Sequence, residues 1–315
     1  MDDVLTVAFL SSVLAAAIPA GTAILYACLG ELLCERAGVL NLGVEGMMLM
    51  GALGGFAVAY WTASAWLGAL AALAVGGALA SIHAVLTVGL AANQVVSGLA
   101  LTLFGTGLSA YLGQDLVGQP AGAAFGDLRV PGLADLPGVG PVLFRQDALV
   151  YLSYALVPLL WFFVYRTRQG LRLRAVGERP EAADALGVGV GRLRAWYVVV
   201  GGALAGLGGA AISLGTNPGW TENITAGRGW IAVALVIFAG WNPLRAAAGA
   251  YLFGGVEAGQ FRLQEAGVGI SAFFLNMMPY LFTILVLVLA TREGARRRIG
   301  APAALGRPYL REERG

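Results

Sequence analysis

Long apolar runs alternate with short polar breaks along this chain, and the pattern predicts a bundle of membrane-spanning helices. The first run, residues 4–29, carries no charge over 26 positions. As a helix it would measure about 39 Å, enough to cross a bilayer with some tilt. We expect about nine spans, within a range of eight to ten, at residues 4–29, 38–60, 67–91, 95–112, 148–165, 195–215, 229–241, 245–259 and 270–291. The runs at 229–241 and 245–259 are short, so either one fits a re-entrant or tilted helix.

The composition supports this fold class. Hydrophobic residues make up 58% of the chain and charged residues 12%, whereas average soluble domains contain about 25% charged residues. We therefore predict an all-α integral membrane protein, a polytopic helical bundle in which residues 1–315 form one transmembrane domain. Its positive charge is not spread as a binding face, so we expect no nucleic-acid partner.

All 20 basic residues are arginine, and the chain contains no lysine. A phosphate-binding loop for ATP requires a lysine, so any ATP hydrolysis that drives this protein must occur on another subunit. Common enzyme signatures are also missing, and we predict a non-enzyme without a cofactor. Cys28, Cys34 and a lone His83 in an apolar run do not form a metal-binding pattern. We expect all three to be packed side chains.

Arginine placement predicts the orientation of the bundle. Fourteen of the 20 arginines lie in the loop at 166–194 or in the tail at 292–315, and such clusters mark the cytoplasmic side. Counting nine spans in both directions from the loop places the N-terminus outside and the C-terminus in the cytoplasm. The loop at 113–147, with four aspartates against two arginines, then lies outside.

The second predicted span contains unusual polar residues. Asn41 and Glu45 lie among glycines at positions 38, 43, 46 and 51, which weaken a helix and predict a broken, glycine-rich span. A charged side chain at the bilayer centre costs about 2.5–3.5 kcal/mol, so Glu45 should face the protein interior or a water-filled path. On a continuous helix the two residues would share one face. They could contact a passing solute, or they could shape the path as a structural pair.

The arginine-rich loop contains a short helix signal. Pro180 marks a helix start, Glu181 and Asp184 follow in the first turn, and Gly187 marks the end. A capped two-turn helix between two spans predicts an element that docks another protein. The alternative, an ordinary solvated loop, accounts for the arginines but not for the helix.

Two further polar positions have two interpretations each. Asn93 and Gln94 separate two apolar runs and could form a gate or a plain cytoplasmic turn. Arg228 follows the outer loop at 216–226 and begins a helix. Its guanidinium could meet an acidic group of a docking binding protein, or it could extend to lipid headgroups.

The stretch at 35–46, Glu-Arg-Ala-Gly-Val-Leu-Asn-Leu-Gly-Val-Glu-Gly, resembles the permease subunits of nucleoside (guanosine-type) ABC importers. That group lies within the simple-sugar and branched-chain amino-acid permease superfamily. The stretches at 92–98 and 227–232 are similar to the same group. The helix at 178–187 looks like its coupling helix, although the Ile-x-Leu-Pro ending of that motif is missing.

The resemblance implies a subunit that moves a nucleoside by alternating access across the cell membrane. Its implied partners are a second permease subunit in a heterodimer, a cytoplasmic ATPase and an extracytoplasmic lipoprotein that binds the substrate. The candidate residues are Asn41, Glu45, Asn93 and Gln94 for the substrate pathway, Arg228 for binding-protein docking, and Glu178, Glu181, Ala182, Ala183 and Gly187 for ATPase coupling.

Three alternatives remain open at this point. Simple-sugar and branched-chain amino-acid permeases carry related glycine-rich motifs, so the substrate could differ within the same class. A secondary transporter with Glu45 as its proton site belongs to another class. Dependence on a separate ATPase distinguishes it from an ABC permease. A purely structural membrane scaffold is the third alternative, and the carboxylate of Glu45 within an apolar run argues against it.

Overall fold

The computed structural model describes residues 7–265, 271–290 and 300–309, and these residues are mostly helical. The α-helices in this part of the chain are α1 (Val7–Arg36), α2 (Val44–Thr62), α3 (Ala65–Ala84), α4 (Gln94–Leu112), α5 (Gly140–Leu143), α6 (Ala148–Arg166), α7 (Arg168–Glu178), α8 (Pro180–Ala185), α9 (Val190–Ala210), α10 (Arg228–Phe238), α11 (Pro243–Glu265) and α12 (Ala272–Ala290).

Two helices end in a π-helical turn, and one loop contains a small hairpin. Val85–Gly89 continues α3, and Ala211–Thr216 continues α9. The predicted outer loop between α4 and α6 contains α5 and two short antiparallel strands, β1 (Leu128–Arg129) and β2 (Arg145–Gln146). The hairpin keeps this loop folded on itself.

Six helices of the described chain are long and apolar enough to cross a membrane. They are Ser11–Arg36, Val44–Thr62, Ala65–Gly89, Gln94–Leu112, Ala148–Arg166 and Val190–Thr216. The count of nine is therefore not confirmed. The remaining predicted runs correspond to α10, which has 11 residues, to the more polar α11, and to α12, whose predicted run at 270–291 extends beyond the described residues.

Helix α1 is longer than the sequence predicts. The expected span stops at residue 29, before two acidic residues, but the helix continues to Arg36. Glu31 and Glu35 are each only 1% exposed. They stay inside because Glu31 accepts a hydrogen bond from the backbone N–H of Asn41 and Glu35 accepts one from the Trp241 indole. Buried polar groups with partners do not end a helix.

Glycines allow the central helices to approach closely. A Cβ placed on Gly51 of α2 would overlap the backbone of Gly206 in α9, and one on Gly76 of α3 would overlap Gly202 of α9. Small residues permit such backbone contact between membrane helices. Helices α1, α2, α3 and α9 therefore form the packed centre, with α10 and α11 against α1.

The predicted break in the second span is not confirmed, because α2 runs without interruption from Val44 to Thr62. The non-helical part precedes it, between Arg36 and Val44, and several of its backbone polar groups are bound by side chains. Leu40 donates its N–H to Gln94 Oε1 at 2.7 Å and its carbonyl contacts His83 Nε2 at 3.1 Å. This connection, residues 37–43, is called the entry segment below.

Helices α7 and α8 and the described tail lie together at the end of the bundle where α1 finishes. Ala304 donates its N–H to the Gly177 carbonyl at 2.9 Å. Arg194, predicted as a loop residue, lies in α9 with 2% exposure and donates to the Arg307 carbonyl at 3.1 Å. The tail segment 300–309 thus packs against α7 and α9.

Candidate functional site

Glu45 holds the loop between α9 and α10. Its Oε1 accepts hydrogen bonds from the Thr225 hydroxyl at 2.6 Å and from the Gly227 N–H at 2.8 Å. Its Oε2 accepts one from the Gly229 N–H at 2.6 Å. The side chain lies inside the bundle at 4% exposure. Every partner of this carboxylate is a donor, which suits its ionised form.

The carboxylate of Glu45 lies at the N-terminus of α10. The first N–H groups of a helix have no partner within the helix, and this end carries a partial positive charge. Glu45 supplies the acceptors for two of those groups. Because α10 is about 16 Å long at 1.5 Å per residue, it covers only about half of a bilayer's hydrocarbon thickness. Its N-terminus lies in the protein interior beside the first turn of α2, because Gly229 and Glu45 are both buried.

Asn41 fixes the turn that leads into α2. Its Oδ1 accepts the Gly43 N–H at 2.9 Å, an Asx turn, while its own N–H donates to Glu31 Oε1. The predicted face shared by Asn41 and Glu45 is wrong, because Asn41 precedes the helix. The side chain is 1% exposed.

Asn93 and Gln94 have different surroundings. Asn93 is exposed and caps α4, with its Oδ1 accepting the Val96 N–H at 3.1 Å. Gln94 is buried and binds the entry segment through Leu40. His83 is fully buried, as predicted, and contacts the Ser97 hydroxyl at 2.9 Å. The α3–α4 turn is thus tied to the entry segment by two side chains.

The sequence analysis missed Glu31 and Glu35. Each carboxyl group uses one oxygen as an acceptor, and the other, Oε2 of Glu31 and Oε1 of Glu35, is buried without a donor. The two groups lie one helical turn apart and within hydrogen-bonding reach of each other. Their spacing of four residues at the end of an apolar run was the available signal.

A cavity of about 610 Å³ reaches α10 from the side of the 217–227 loop. Small side chains of α1, including Ala16 and Ala20, form one wall, and Glu257 and Phe261 of α11 form another. Arg228, the first residue of α10, also lines this cavity. We call this space the outer cavity.

The Arg228 guanidinium is occupied within the protein. It forms a two-point ion pair with Glu257. Its Nη1 also donates to the carbonyls of Ile224 and Thr225, each at 3.1 Å. Both residues of this ion pair line the outer cavity and also a second cavity of about 290 Å³, which Pro279 and Tyr280 line as well. The predicted docking role of Arg228 is not tested by this geometry, which turns the side chain inward.

The predicted loop helix is present as α8. Its end is a Schellman motif, since Val188 donates to the Ala183 carbonyl at 3.0 Å and Gly187, at φ +80°, donates to Asp184 at 2.9 Å. Ala183 is buried, while Glu181 and Ala182 are exposed. Glu178 ends α7, and its Oε2 accepts the Ala303 N–H at 3.3 Å.

Residues 7–291 match the family described as "Branched-chain amino acid transport system / permease component". The chain belongs to this permease family. The resemblance drawn from the 35–46 stretch is thereby confirmed. The protein is a permease component of a transport system, and its family implies an ATPase and a substrate-binding protein as partners.

Three similar proteins are permeases of ABC transporters. A putative glucose permease protein, TsgC13 of Haloferax volcanii, is 45% identical over 96% of this chain and 99% of its own length. The nucleoside permease protein NupC of Lactococcus lactis is 35% identical over 93% and 94%. The guanosine permease protein NupQ of Bacillus subtilis is 32% identical over 98% and 99%. No solved structure matches the chain.

Proposed function

We propose that this permease moves a nucleoside into the cell by alternating access, driven by a separate ATPase. The observation that carries the proposal is the family match over residues 7–291, taken with nucleoside and guanosine permeases among the relatives. The absence of lysine supports the separate ATPase, because the chain cannot form an ordinary phosphate-binding loop.

A free sugar is the second candidate substrate. It is favoured by the relative from Haloferax volcanii, whose printed name is that of a putative glucose permease protein. A nucleoside and a sugar share several hydroxyl groups and carry no charge. Thr216, Asn217 and the Arg228–Glu257 pair in the outer cavity offer donors and acceptors for hydroxyls.

The outer cavity is the proposed entrance for the solute. The cavity leads to the Arg228–Glu257 pair and to the N-terminus of α10, where a break of this ion pair would join it to the second cavity. In this proposal Glu45 and Asn41 shape the path by fixing α10 and the entry segment, and Gln94 holds that segment from α4. Asn93 caps a turn, and its role as a gate stays a prediction.

Helix α8 is the proposed contact with the ATPase. Glu181 and Ala182 are exposed on it, and Leu186, the residue directly after it, is 86% exposed, the kind of apolar side chain that a partner surface covers. Ala183 packs α8 against Val176 of α7 and Val190 of α9. Because α8 is packed against its neighbouring helices, a movement of the ATPase would be transmitted through α8 to the bundle.

The topology follows the arginine distribution. We propose nine membrane segments, with α10 as a half-span, α11 and α12 completing the bundle, the N-terminus outside and the C-terminus in the cytoplasm. We also propose a heterodimer with a second permease. Both guanosine permease proteins of Bacillus subtilis, NupP and NupQ, are similar to this chain at 24% and 32% identity, which supports pairing of two related subunits.

Uptake by cells that hold the permease, its ATPase and its binding protein tests the proposal. Labelled guanosine should accumulate when the proton gradient is collapsed and ATP is maintained. Accumulation of glucose without guanosine would select the second candidate. Loss of uptake on collapse of the gradient at constant ATP would contradict an ABC mechanism.

A cysteine probe tests the outer cavity. An Ala20→Cys variant should react with a water-soluble thiol reagent added outside, and guanosine with its binding protein should slow that reaction. An Ala27→Cys variant on the same helix is the control, because Ala27 is fully buried and should not react. Equal labelling of the two variants would remove the outer cavity from the path.

A further inference from the structure

A basic pocket of about 510 Å³ lies at the opposite end of the bundle from the outer cavity. It forms where α1 and α6 end and α11 begins, and its walls include Arg36, Arg166 and Arg245 together with Trp161 and Tyr165. We call it the arginine pocket. It takes no part in the proposed solute path.

The positive charge in the arginine pocket has no carboxylate partner among the described residues. The ion pairs among the described residues are Arg145–Asp135, Arg228–Glu257 and Arg262–Glu265, and none of them involves an arginine of the pocket. Arg36 is held by neutral groups, since it donates to the Tyr165 hydroxyl at 3.1 Å and to the Trp241 carbonyl at 3.1 Å. Three guanidinium groups that converge without a counter-charge favour an anion.

The aromatic side chains in its walls indicate at which level of the membrane the pocket lies. The Arg166 guanidinium carbon lies 5.8 Å from the centre of the Trp161 ring, and that of Arg36 lies 6.0 Å from the Tyr165 ring. Tryptophan and tyrosine concentrate at the headgroup level of a membrane protein. Arginines stacked on such rings lie where lipid phosphates are found.

Two of the arginines continue apolar surfaces of their helices. Phe162 is 54% exposed and lies four residues before Arg166, so the two share a face of α6. Leu252 is 61% exposed and lies seven residues after Arg245, which places both on one face of α11. A ligand with a phosphate in the pocket could therefore lay an acyl chain along either helix.

We propose that the arginine pocket binds the phosphate headgroup of an anionic phospholipid. An arginine fork matches two phosphate oxygens, and basic pockets between membrane helices bind anionic headgroups. A free phosphate offers the same headgroup chemistry, but it has no acyl chain that could pack on the exposed side chains of Phe162 and Leu252. Those side chains distinguish the lipid from the free ion.

Native mass spectrometry of the assembled transporter tests this proposal. Phosphatidylglycerol should stay bound to the wild-type complex more than phosphatidylcholine does. The double variant Arg166→Gln with Arg245→Gln should lose about 25-fold in phosphatidylglycerol retention, since each basic residue near an anionic surface contributes on the order of fivefold. The Arg→Lys double variant keeps the charge but loses the planar fork, so its retention should lie between those of the wild type and of the Arg→Gln double variant.

An Arg192→Gln variant is the matched control. Arg192 is an exposed arginine that lines a separate cavity with Gly187, at the end of α8 and outside the arginine pocket, so its replacement should leave lipid retention unchanged. Melting temperatures of all variants separate lost binding from lost folding.

Three results would overturn the proposal. One is unchanged phosphatidylglycerol retention in the Arg→Gln double variant. Another is displacement of the lipid by millimolar inorganic phosphate, which would make the pocket a phosphate site. The third is loss of the ATPase from the double variant with lipid retention intact, which would assign the arginines to a protein contact.

Discussion

At the scale of residues, the partners of a buried carboxylate decide which protonation state and which substitution it tolerates. Glu45 faces three donors, from Thr225, Gly227 and Gly229. Glu31 faces one donor, from Asn41, and the neighbouring carboxyl group of Glu35. Two adjacent buried carboxylates cannot both ionise at low cost, whereas one shared proton gives each oxygen a partner. Buried glutamate side chains thus occupy two different chemical environments in this protein.

A glutamine substitution at each site separates these environments. Glu45→Gln replaces an acceptor with an NH₂ group that faces an N–H donor, so we expect a loss of about 1–3 kcal/mol of stability, the cost of unsatisfied buried groups. Glu31→Gln keeps the acceptor for Asn41 and gives a donor to Glu35, so its melting temperature should stay near that of the wild type.

Thermal unfolding of the purified variants in detergent measures the difference. Glu31→Leu and Glu45→Leu serve as controls, and both should be destabilised because each leaves a buried donor without a partner. Equal melting temperatures for Glu31→Gln and Glu45→Gln would contradict these assignments.

At the scale of elements, glycines place helices at distances that no other residue allows. Gly105 of α4 faces α2, and a Cβ there would lie 2.7 Å from both the Cα and the carbonyl oxygen of Gly46. Gly107 lies on the same helix and faces open space, with no atom within 4 Å of such a Cβ. Two residues of one type in one helix therefore have different roles.

Alanine substitutions at these two glycines should have opposite effects. Gly105→Ala should destabilise by about 1–3 kcal/mol, since α4 must move away from α2. Gly107→Ala should be neutral or stabilising by up to about 1 kcal/mol, the difference in helix propensity. Melting temperatures in detergent measure both, and a stable Gly105→Ala variant would mean that α4 does not pack on Gly46.

The contact surface of α8 can be tested apart from its fold. Leu186 is exposed and does not contribute to the core, so the Leu186→Asp variant should keep the melting temperature of the wild type. The ATPase should no longer co-purify with this variant, and uptake should stop. Leu186→Met keeps the apolar surface and should retain both. A second variant carries Glu181→Arg and Gly187→Trp. Full ATPase binding by both this variant and Leu186→Asp would exclude α8 as the docking element.

At the scale of the whole molecule, the proposed solute entrance and the proposed ATPase contact lie at opposite ends of the bundle. The outer cavity opens beside the 217–227 loop, while α7, α8 and the tail lie where α1 ends. The native cysteines, Cys28 and Cys34, are buried. Added cysteines can therefore report the topology without removal of the natural ones.

Labelling of one added cysteine at a time on intact cells tests the orientation of the protein in the membrane. Asp127→Cys in the loop before α5 should react with a membrane-impermeant reagent on intact cells, because we place that loop outside. Arg192→Cys near α8 should react only after the membrane is opened. Both positions are exposed, so the reverse pattern would invert the proposed topology, and labelling of neither would indicate that a partner subunit covers them.

The sequence by itself determined the membrane class, the helical content and the family, because these depend on composition, on the length of apolar runs and on short motifs. It also located the α8 helix from Pro180 and Gly187, whose signals act within a few residues. Only the tertiary structure decided how far α1 extends and what Glu45 does. The partners of Glu45 and the Trp241 partner of Glu35 come from distant parts of the chain, 206 positions away in the case of Trp241. No local pattern encodes such contacts, so the fate of a buried charge depends on which donors the packed helices bring to it.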